Sequence, residues 1–142
     1  MILIHPFAKP LRNGKTNPKN YPYWKELIAV IDEPIIQIGV EGEEQLVPDF
    51  RKNLTMLELR HLLNECRIWI GVDSFFQHLA WDCKKPGIVL WSVSDPIIYG
   101  HTENINLLEN RVYLAKNQFL WWEATEHNPK SFVKPEIVKN YL

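Results

Sequence analysis

The sequence predicts an α/β fold in which a parallel sheet is covered by helices on both faces. Two observations predict it: short runs that are apolar throughout alternate with segments of helical periodicity, and turn residues separate them. Strands that are apolar along their whole length are typical of parallel sheets buried on both sides. A chain of 142 residues is expected to form one domain, residues 1–142, with a Rossmann-like architecture.

Five runs are predicted to form strands. The clearest is Ile68–Val72, because every position is apolar or glycine and the run leads directly into a segment of helical pattern. Pro86 and Gly87 end that helical segment before the next strand begins. The other predicted strands are Met1–His5, Ile35–Val40, Ile88–Trp91 and Ile105–Leu108.

Four segments are predicted to form helices. Thr55, followed three residues later by Glu58, is a capping box and predicts a helix that continues through Leu63. Pro135 is typical of a first helical position and predicts a terminal helix to Leu142. The remaining helices are Tyr23–Ile31 and Phe75 to about Cys83, while 6–22 and 92–102 are predicted to be loops.

The charge and the cysteines exclude several classes of function. The formal net charge is −1, from 16 basic and 17 acidic residues, so no field attracts nucleic acid or an anionic membrane surface. No apolar run approaches the length of a membrane span, and no targeting segment precedes the first apolar run, so the expected compartment is the cytoplasm. Cys66 and Cys83 lack a CxxC spacing and are expected to be reduced core residues with no metal.

The most informative segment follows the predicted strand Ile68–Val72. Asp73 stands where the next helix needs an N-cap, and Ser74 and His78 are four residues apart, so they share one face of that helix. Free N–H groups and the macrodipole at a helix N-terminus form a site for phosphate. Taken singly, Asp73 is often only a cap, worth about 0.5–2 kcal/mol, and His78 only a half-buried polar residue. Their combination with the residues that follow favours an anion site.

The stretch from Ile68 to Tyr99 resembles the signature of the heptosyltransferases, glycosyltransferase family 9, which have the GT-B fold. In that family a strand ends in Asp-Ser/Thr-Gly, a His-Leu-Ala follows on the helix, and a proline precedes the next strand and an Asp-Pro loop. The matching residues here are Asp73, Ser74, His78, Leu79, Ala80, Pro86, Asp95 and Pro96. Weaker likenesses to the family are Ile4–Pro6, Lys19–Trp24, Gly39–Glu44 and Lys134–Val138.

The resemblance implies an ADP-heptose-like nucleotide-sugar donor, transferred with inversion and without a metal or other cofactor. By position, Lys19 is expected near the diphosphate and Glu43 near the ribose or nucleotide. Asp73 is expected to meet the sugar hydroxyls, while Ser74 and His78 hold phosphate or sugar. Because all of these loops are predicted at one edge of the sheet, Lys19, Glu43, Ser74 and His78 are expected to converge on one cleft. The catalytic residues remain unassigned.

Two departures from the family keep the function open. Phe75 replaces the glycine that follows Asp-Ser, which narrows the approach to the backbone or offers a ring for stacking. The resemblance also covers only one half of a GT-B fold, whereas the acceptor site and catalytic base lie in the other half. Transfer is therefore expected to need an acceptor-binding protein or a homo-oligomer. The alternatives are a non-catalytic nucleotide sensor or sequestering protein, and a degenerate domain that binds proteins through Trp121 and Trp122.

Overall fold

The computed structural model describes residues 1–120 and 124–142, and in these ranges it contains one six-stranded parallel sheet. The strand order is β3-β2-β1-β4-β5-β6, and every neighbouring pair is parallel. This order is that of Rossmann folds, so the predicted fold class is confirmed. The strands are β1 (Ile2–His5), β2 (Ile35–Gly39), β3 (Phe50–Lys52), β4 (Ile68–Val72), β5 (Ile88–Leu90) and β6 (Ile105–Leu107).

Helices cover both faces of the sheet. On one face, Trp24 and Leu27 of one helix and Val138 of another pack on the sheet, and on the opposite face Leu63 and Phe76 do the same from two further helices. The helices are α1 (Trp24–Ala29), α2 (Met56–Glu65), α3 (Phe75–Asp82), α4 (Pro96–Tyr99) and α5 (Pro135–Lys139), so that α1 and α5 lie on one face and α2 and α3 on the other.

Alternation along β4 divides the core between these two faces. Ile70 and Val72 point to the side of α1 and α5, whereas Trp69 points to the side of α2 and α3. The fully buried indole of Trp69 donates from Nε1 to the carbonyl of Lys85 at 2.8 Å. Gly87 lies against the same ring, with no room for a Cβ atom. The packing of Trp69 thereby fixes the position of β4, and with it the position of the residues at the carboxyl end of this strand.

The predicted signals for helix starts are largely confirmed. The Thr55 Oγ1 accepts from the Glu58 N–H at 3.2 Å, and the Glu58 carboxylate accepts from the Thr55 N–H at 2.7 Å, which is the predicted capping box. Pro135 opens α5 as predicted, but the helix ends at Lys139 and does not reach Leu142.

In the described ranges, one strand and one α-helix were not predicted. The strand β3 pairs with β2 at one edge of the sheet, and Arg51 and Lys52 give it no apolar pattern. The helix α4 lies within the predicted loop 92–102, where the Asp95 carboxylate accepts from the Ile97 N–H at 2.9 Å and starts one short helical turn. The predicted protein-binding residues Trp121 and Trp122 lie outside the described residues.

The structure also tests the predictions about the two cysteines and about membrane-spanning segments. Cys66 is buried and Cys83 half-buried, and both are free thiols; burial raises the pKa of the Cys66 thiol. Cys66 is therefore a core residue as predicted, and Cys83 is only partly so. Within residues 1–120 and 124–142, no helix is long and apolar enough to cross a membrane.

Candidate functional site

The centre of the sheet provides the crevice in which a ligand of this fold would lie. The strands β1 and β4 are neighbours, and from them the chain continues to β2 on one side and to β5 on the other. A crevice opens at the carboxyl ends of the strands where the connections diverge in this way. His5 ends β1 in register with Gly71, which brings the segments that begin at Pro6 and Asp73 side by side.

Ser74 is the N-cap of α3, and the expectation that Asp73 caps this helix is wrong. The Ser74 Oγ accepts from the Phe76 N–H at 3.3 Å. The Asp73 carboxylate is turned the other way: Oδ1 accepts from Gln77 Nε2 at 2.8 Å, and Oδ2 lies 2.9 Å from Lys19 Nζ. A buried carboxylate gains more from a cation and an amide donor than from a single backbone N–H, so the cap falls to the next residue.

The loop between β1 and α1 carries Lys19 into the crevice. The Asn17 Oδ1 accepts from the Lys19 N–H at 2.9 Å, and the Ser92 hydroxyl donates to the Pro18 carbonyl at 2.8 Å. These bonds fix the backbone of Lys19 against the carboxyl end of β5. The side chains of Lys19 and Asp73 are only 16% and 9% exposed, so the ion pair is largely shielded from water.

Two adjacent cavities lie along the crevice. The first, here the α3 cavity, has a volume of about 310 Å³ and contains His78 together with Asn117 and Gln118 from the chain after β6. The second, here the β2 cavity, has a volume of about 390 Å³ and contains Glu43 and Val40. Both cavities are bordered by the same four residues, Lys19, Asp73, Ser74 and Phe75. The two volumes thus meet at the start of α3.

Glu43 has an unusual environment in the β2 cavity. Its carboxylate lies directly on Gly39, where a Cβ atom would displace it, and Oε2 is buried without a hydrogen-bond partner among the described residues. Burial raises the pKa of this carboxyl, although a hydrogen bond from the Val40 main chain acts in the opposite direction. A donor group in the β2 cavity would supply the partner that this oxygen lacks.

His78, which borders the α3 cavity, is held by a second histidine, His101. The Nδ1 of His78 lies 2.8 Å from the Nε2 of His101, and the ring of His101 stacks on Trp81 with 4.8 Å between centroids. Burial, together with the neighbouring His78, lowers the pKa of His101. In the neutral pair one imidazole donates and the other accepts, so each ring determines the tautomer of the other.

The outer wall of the α3 cavity is fixed by Gln118. Its Oε1 accepts from the Asp95 N–H at 2.8 Å, and its Nε2 donates to the Val93 carbonyl at 2.9 Å. The Arg111 guanidinium donates to both oxygens of the Asp95 carboxylate, at 3.1 and 2.6 Å, and holds the pKa of that carboxyl below its usual range. The segment after β6 is thereby tied to the end of β5.

His5 lies in the crevice but was not among the site residues predicted from the sequence. It is buried, its ring stacks on Phe76 with 5.1 Å between centroids, and its Nδ1 lies 3.1 Å from the Ser74 Oγ. Burial lowers the pKa of His5 to about 4, so the imidazole is neutral near pH 7. The one available signal in the sequence was a polar side chain that ends an apolar strand.

The predicted site residues lie in these two cavities but not all in the same one. Lys19, Asp73 and Ser74 border both, Glu43 borders only the β2 cavity, and His78 borders only the α3 cavity. The single cleft that was expected is therefore a pair of adjoining volumes. In the described part of the chain, no three His, Cys, Asp or Glu side chains are grouped so that they could hold a metal ion.

Comparison with known proteins gives two matches. The profile of glycosyltransferase family 9 (heptosyltransferase) matches residues 52–141, more than half of the chain. A similar solved structure is that of TibC, described as a dodecameric iron-containing heptosyltransferase in complex with ADP-D-β-D-heptose, with a TM-score of 0.63 and 14% sequence identity. The alignment covers 94% of this chain and 35% of TibC, so the chain spans about a third of that protein and shares its fold over that part. No curated protein sequence matches. The profile match and the motif from Asp73 to Pro96 lead to one conclusion: the chain belongs to glycosyltransferase family 9, the heptosyltransferase family.

Proposed function

We propose that residues 1–142 form one nucleotide-sugar-binding domain of a glycosyltransferase, and that the ligand lies across the border of the two cavities. The observation that carries this proposal is the position of Lys19, Asp73 and Ser74, which border both cavities at the N-terminus of α3. A ligand with a charged centre and two different ends fits such an arrangement, and a nucleoside diphosphate sugar is of this kind.

The diphosphate is proposed to lie at the start of α3. The first N–H groups of this helix and its dipole favour an anion, and the Lys19 ammonium adds a positive charge beside them. Because Asp73 already neutralises part of that charge, the N–H groups and the Ser74 hydroxyl have to supply much of the binding. The Asp73 carboxylate, which only accepts hydrogen bonds, suits the hydroxyl groups of the sugar.

The nucleoside is proposed to occupy the β2 cavity. Its walls include the apolar side chains of Phe7, Ala8, Pro10 and Val40, against which a base can pack. The unpartnered Oε2 of Glu43 is suited to accept from a ribose hydroxyl. An adenine nucleotide is the first candidate, because TibC, whose fold is similar, was solved with ADP-D-β-D-heptose.

The sugar is proposed to occupy the α3 cavity. His78, Asn117 and Gln118 provide polar groups there, and Ser94 and Tyr99 complete the wall. Sugars offer several hydroxyls that both donate and accept, and such side chains can match either role. A heptose or hexose of an ADP-heptose-like donor fits this description.

Transfer to an acceptor is proposed to require a second, acceptor-binding half in addition to residues 1–142. Inverting transfer needs a base within hydrogen-bond reach of the acceptor hydroxyl. Among the residues that border the two described cavities, none corresponds to the catalytic base of the family. The chain alone is therefore expected to bind a nucleotide sugar without transferring the sugar.

Calorimetric titration tests the binding part of the proposal. The purified chain is titrated with ADP, ADP-sugars, and the UDP-, GDP- and dTDP-sugars, and His78→Ala is compared with His61→Ala, an exposed histidine on α2 outside both cavities. Loss of one hydrogen bond from His78 should weaken the binding of an ADP-sugar by about 2- to 100-fold, while His61→Ala leaves it unchanged. Absence of nucleotide binding, or equal affinities of wild type and His78→Ala, would contradict the proposed site. A glycosyl-transfer assay on the same protein tests the other part, because turnover by the chain alone would contradict the need for a second half.

A further inference from the structure

The pair formed by His5 and Ser74 is not used by any role assigned so far. His5 comes from the end of β1 and Ser74 from the start of α3, and their Nδ1 and Oγ atoms are 3.1 Å apart. The imidazole is held on two sides, stacked on Phe76 at 5.1 Å and edge-on to Phe75 at 5.5 Å between centroids. These two contacts hold the plane of the ring.

The hydroxyl of Ser74 has a limited number of hydrogen bonds to offer. It carries one proton and two lone pairs, and one lone pair is already used by the Phe76 N–H at 3.3 Å. If Nδ1 of His5 carries a proton, it donates to the second lone pair, and the Ser74 proton is left for the crevice. If Nδ1 carries none, the Ser74 proton is consumed by His5, and only a lone pair remains for the ligand.

We propose that His5 is a positioning residue whose Nδ1–H donates to the Ser74 Oγ and so directs the Ser74 hydroxyl proton into the crevice. Ser74 then donates to an oxygen of the ligand that is rich in lone pairs, namely a phosphate oxygen. This inference rests on the proposed function for the identity of that ligand, but the tautomer of His5 does not depend on it.

The Nδ1-protonated form follows from the hydrogen bonds that Ser74 can offer. Burial lowers the pKa of His5 to about 4 and keeps the imidazole neutral, although a hydrogen bond with its own main chain acts in the opposite direction on that pKa. A neutral imidazole has a single N–H; placed on Nδ1, the nitrogen 3.1 Å from the Ser74 Oγ, it leaves Nε2 bare. The opposite tautomer would present a lone pair of Ser74 to phosphate, which also offers only lone pairs.

The first test is the tautomer itself, measured by long-range ¹H–¹⁵N correlation spectra of the chain labelled at histidine, at pH 7 and without ligand. His5→Asn, which removes one set of signals, gives the assignment. The expected pattern is a protonated Nδ1 and a bare Nε2. A protonated Nε2, or an imidazolium at this pH, would overturn the inference whether or not the chain binds nucleotides.

The second test is a double-mutant cycle of His5→Phe and Ser74→Ala, titrated with ADP. His5→Phe keeps a ring against Phe76 but removes Nδ1, and it should weaken ADP binding by about 3- to 10-fold in the wild-type background. In the Ser74→Ala background the same change should have less than about a twofold effect, because His5 acts through the hydroxyl. Equal losses in both backgrounds would show a structural role only and would overturn the inference.

A third variant controls for the possibility that His5→Phe weakens binding by misfolding. His5→Asn places an amide near the position of Nδ1, so its affinity for ADP should be close to that of the wild type and higher than that of His5→Phe. Thermal unfolding is measured for each protein. An affinity of His5→Asn no better than that of His5→Phe would count against a donor at this position. If the wild type itself does not bind ADP, the proposed function fails, and the tautomer measurement still decides the inference about His5.

Discussion

The imidazoles of His78 and His101 form a hydrogen-bonded pair, with His78 Nδ1 2.8 Å from His101 Nε2. The first lies on α3 and the second on the chain between α4 and β6. Because a single proton lies between the two nitrogens when both rings are neutral, the second ring controls which nitrogen of the first is protonated. A residue outside the family motif therefore determines what a motif residue offers to a ligand.

Replacing His101 by phenylalanine should test this control. The ring of Phe can still stack on Trp81, but the hydrogen bond to His78 is lost. We expect the affinity for an ADP-sugar to fall by about 2- to 10-fold, measured by calorimetry. The same substitution in a His78→Ala protein should cause no further loss; losses that add in the double variant would show that the two rings act separately.

Removal of one partner from the shielded ion pair of Lys19 and Asp73 should destabilise the fold. Among the residues that the structure describes, Lys19→Met leaves the Asp73 carboxylate with Gln77 as its side-chain partner. The substitution should lower the free energy of unfolding by about 3 kcal/mol. Adding Asp73→Asn should recover part of this loss, because the uncompensated charge is then removed. Urea denaturation measures both.

An exposed ion pair provides the matched control. The side chains of Lys25 and Glu44 are 76% and 57% exposed, so Lys25→Met should cost less than about 1 kcal/mol. A cost for Lys19→Met no larger than for Lys25→Met would contradict the shielded pair. A double variant with Asp73→Asn that is less stable than Lys19→Met would contradict the stated cause.

The buried His5 should make the protein less stable in acid. Burial lowers its pKa in the folded protein to about 4, from the ordinary histidine value of 6.5. The stability from its neutral form is present above the unfolded pKa and is lost as the pH falls towards the folded value. The free energy of unfolding should therefore decrease by about 3 kcal/mol from this group between pH 7 and 4.

The contribution of His5 is isolated by comparing variants across this pH range. His5→Phe should show a shallower decrease in unfolding free energy than the wild type, while His61→Gln, at an exposed position, should keep the wild-type slope. Denaturant unfolding at several pH values gives both slopes. Parallel curves for wild type and His5→Phe would mean that His5 does not titrate between the two states.

Glu43 should show opposite effects on stability and on binding. Because burial raises the pKa of its carboxyl, ionisation as the pH rises weakens the folded state. Glu43→Gln, which has no charge, should therefore raise the midpoint of thermal unfolding at pH 7. The affinity for ADP should fall, because one carboxylate oxygen is replaced by an NH2 group that cannot accept and the remaining amide oxygen is a weaker acceptor than a carboxylate. Glu44→Gln, an exposed neighbour, should change neither. A Glu43→Gln protein that is less stable, or that binds ADP as the wild type does, would contradict this assignment.

The parts of the fold that could be predicted were those with strong local signals. The capping box at Thr55 and the apolar run Ile68–Val72 are local patterns, and both appear where they were expected. The strand β3 has two charged residues among its three and is exposed at the sheet edge, so its pairing with β2 has no counterpart in the apolar pattern. The helix α4 is a single turn after an Asp-Pro pair, which resembles a loop in sequence.

The candidate site was less predictable, because its contacts join distant segments. Nothing near Asp73 in sequence indicates that Lys19 would turn its carboxylate away from the helix start and leave the cap to Ser74. The histidines at 5 and 101 likewise acquire their importance only from partners on other elements. The resemblance to a family identified the residues of one motif, and the structure identified the residues on other elements that form hydrogen bonds and ion pairs with them.

The central place of β1 also has a consequence for the order of events during synthesis. Its Leu3 is paired with Ile36 on one side and with Trp69 on the other, although the ribosome makes it long before Trp69. Until β4 has been translated, one edge of this largely apolar strand has no neighbour, and such edges promote aggregation. The crevice needs still later residues, up to Gln118, so a nucleotide can assist only the last steps of folding and cannot protect the nascent chain.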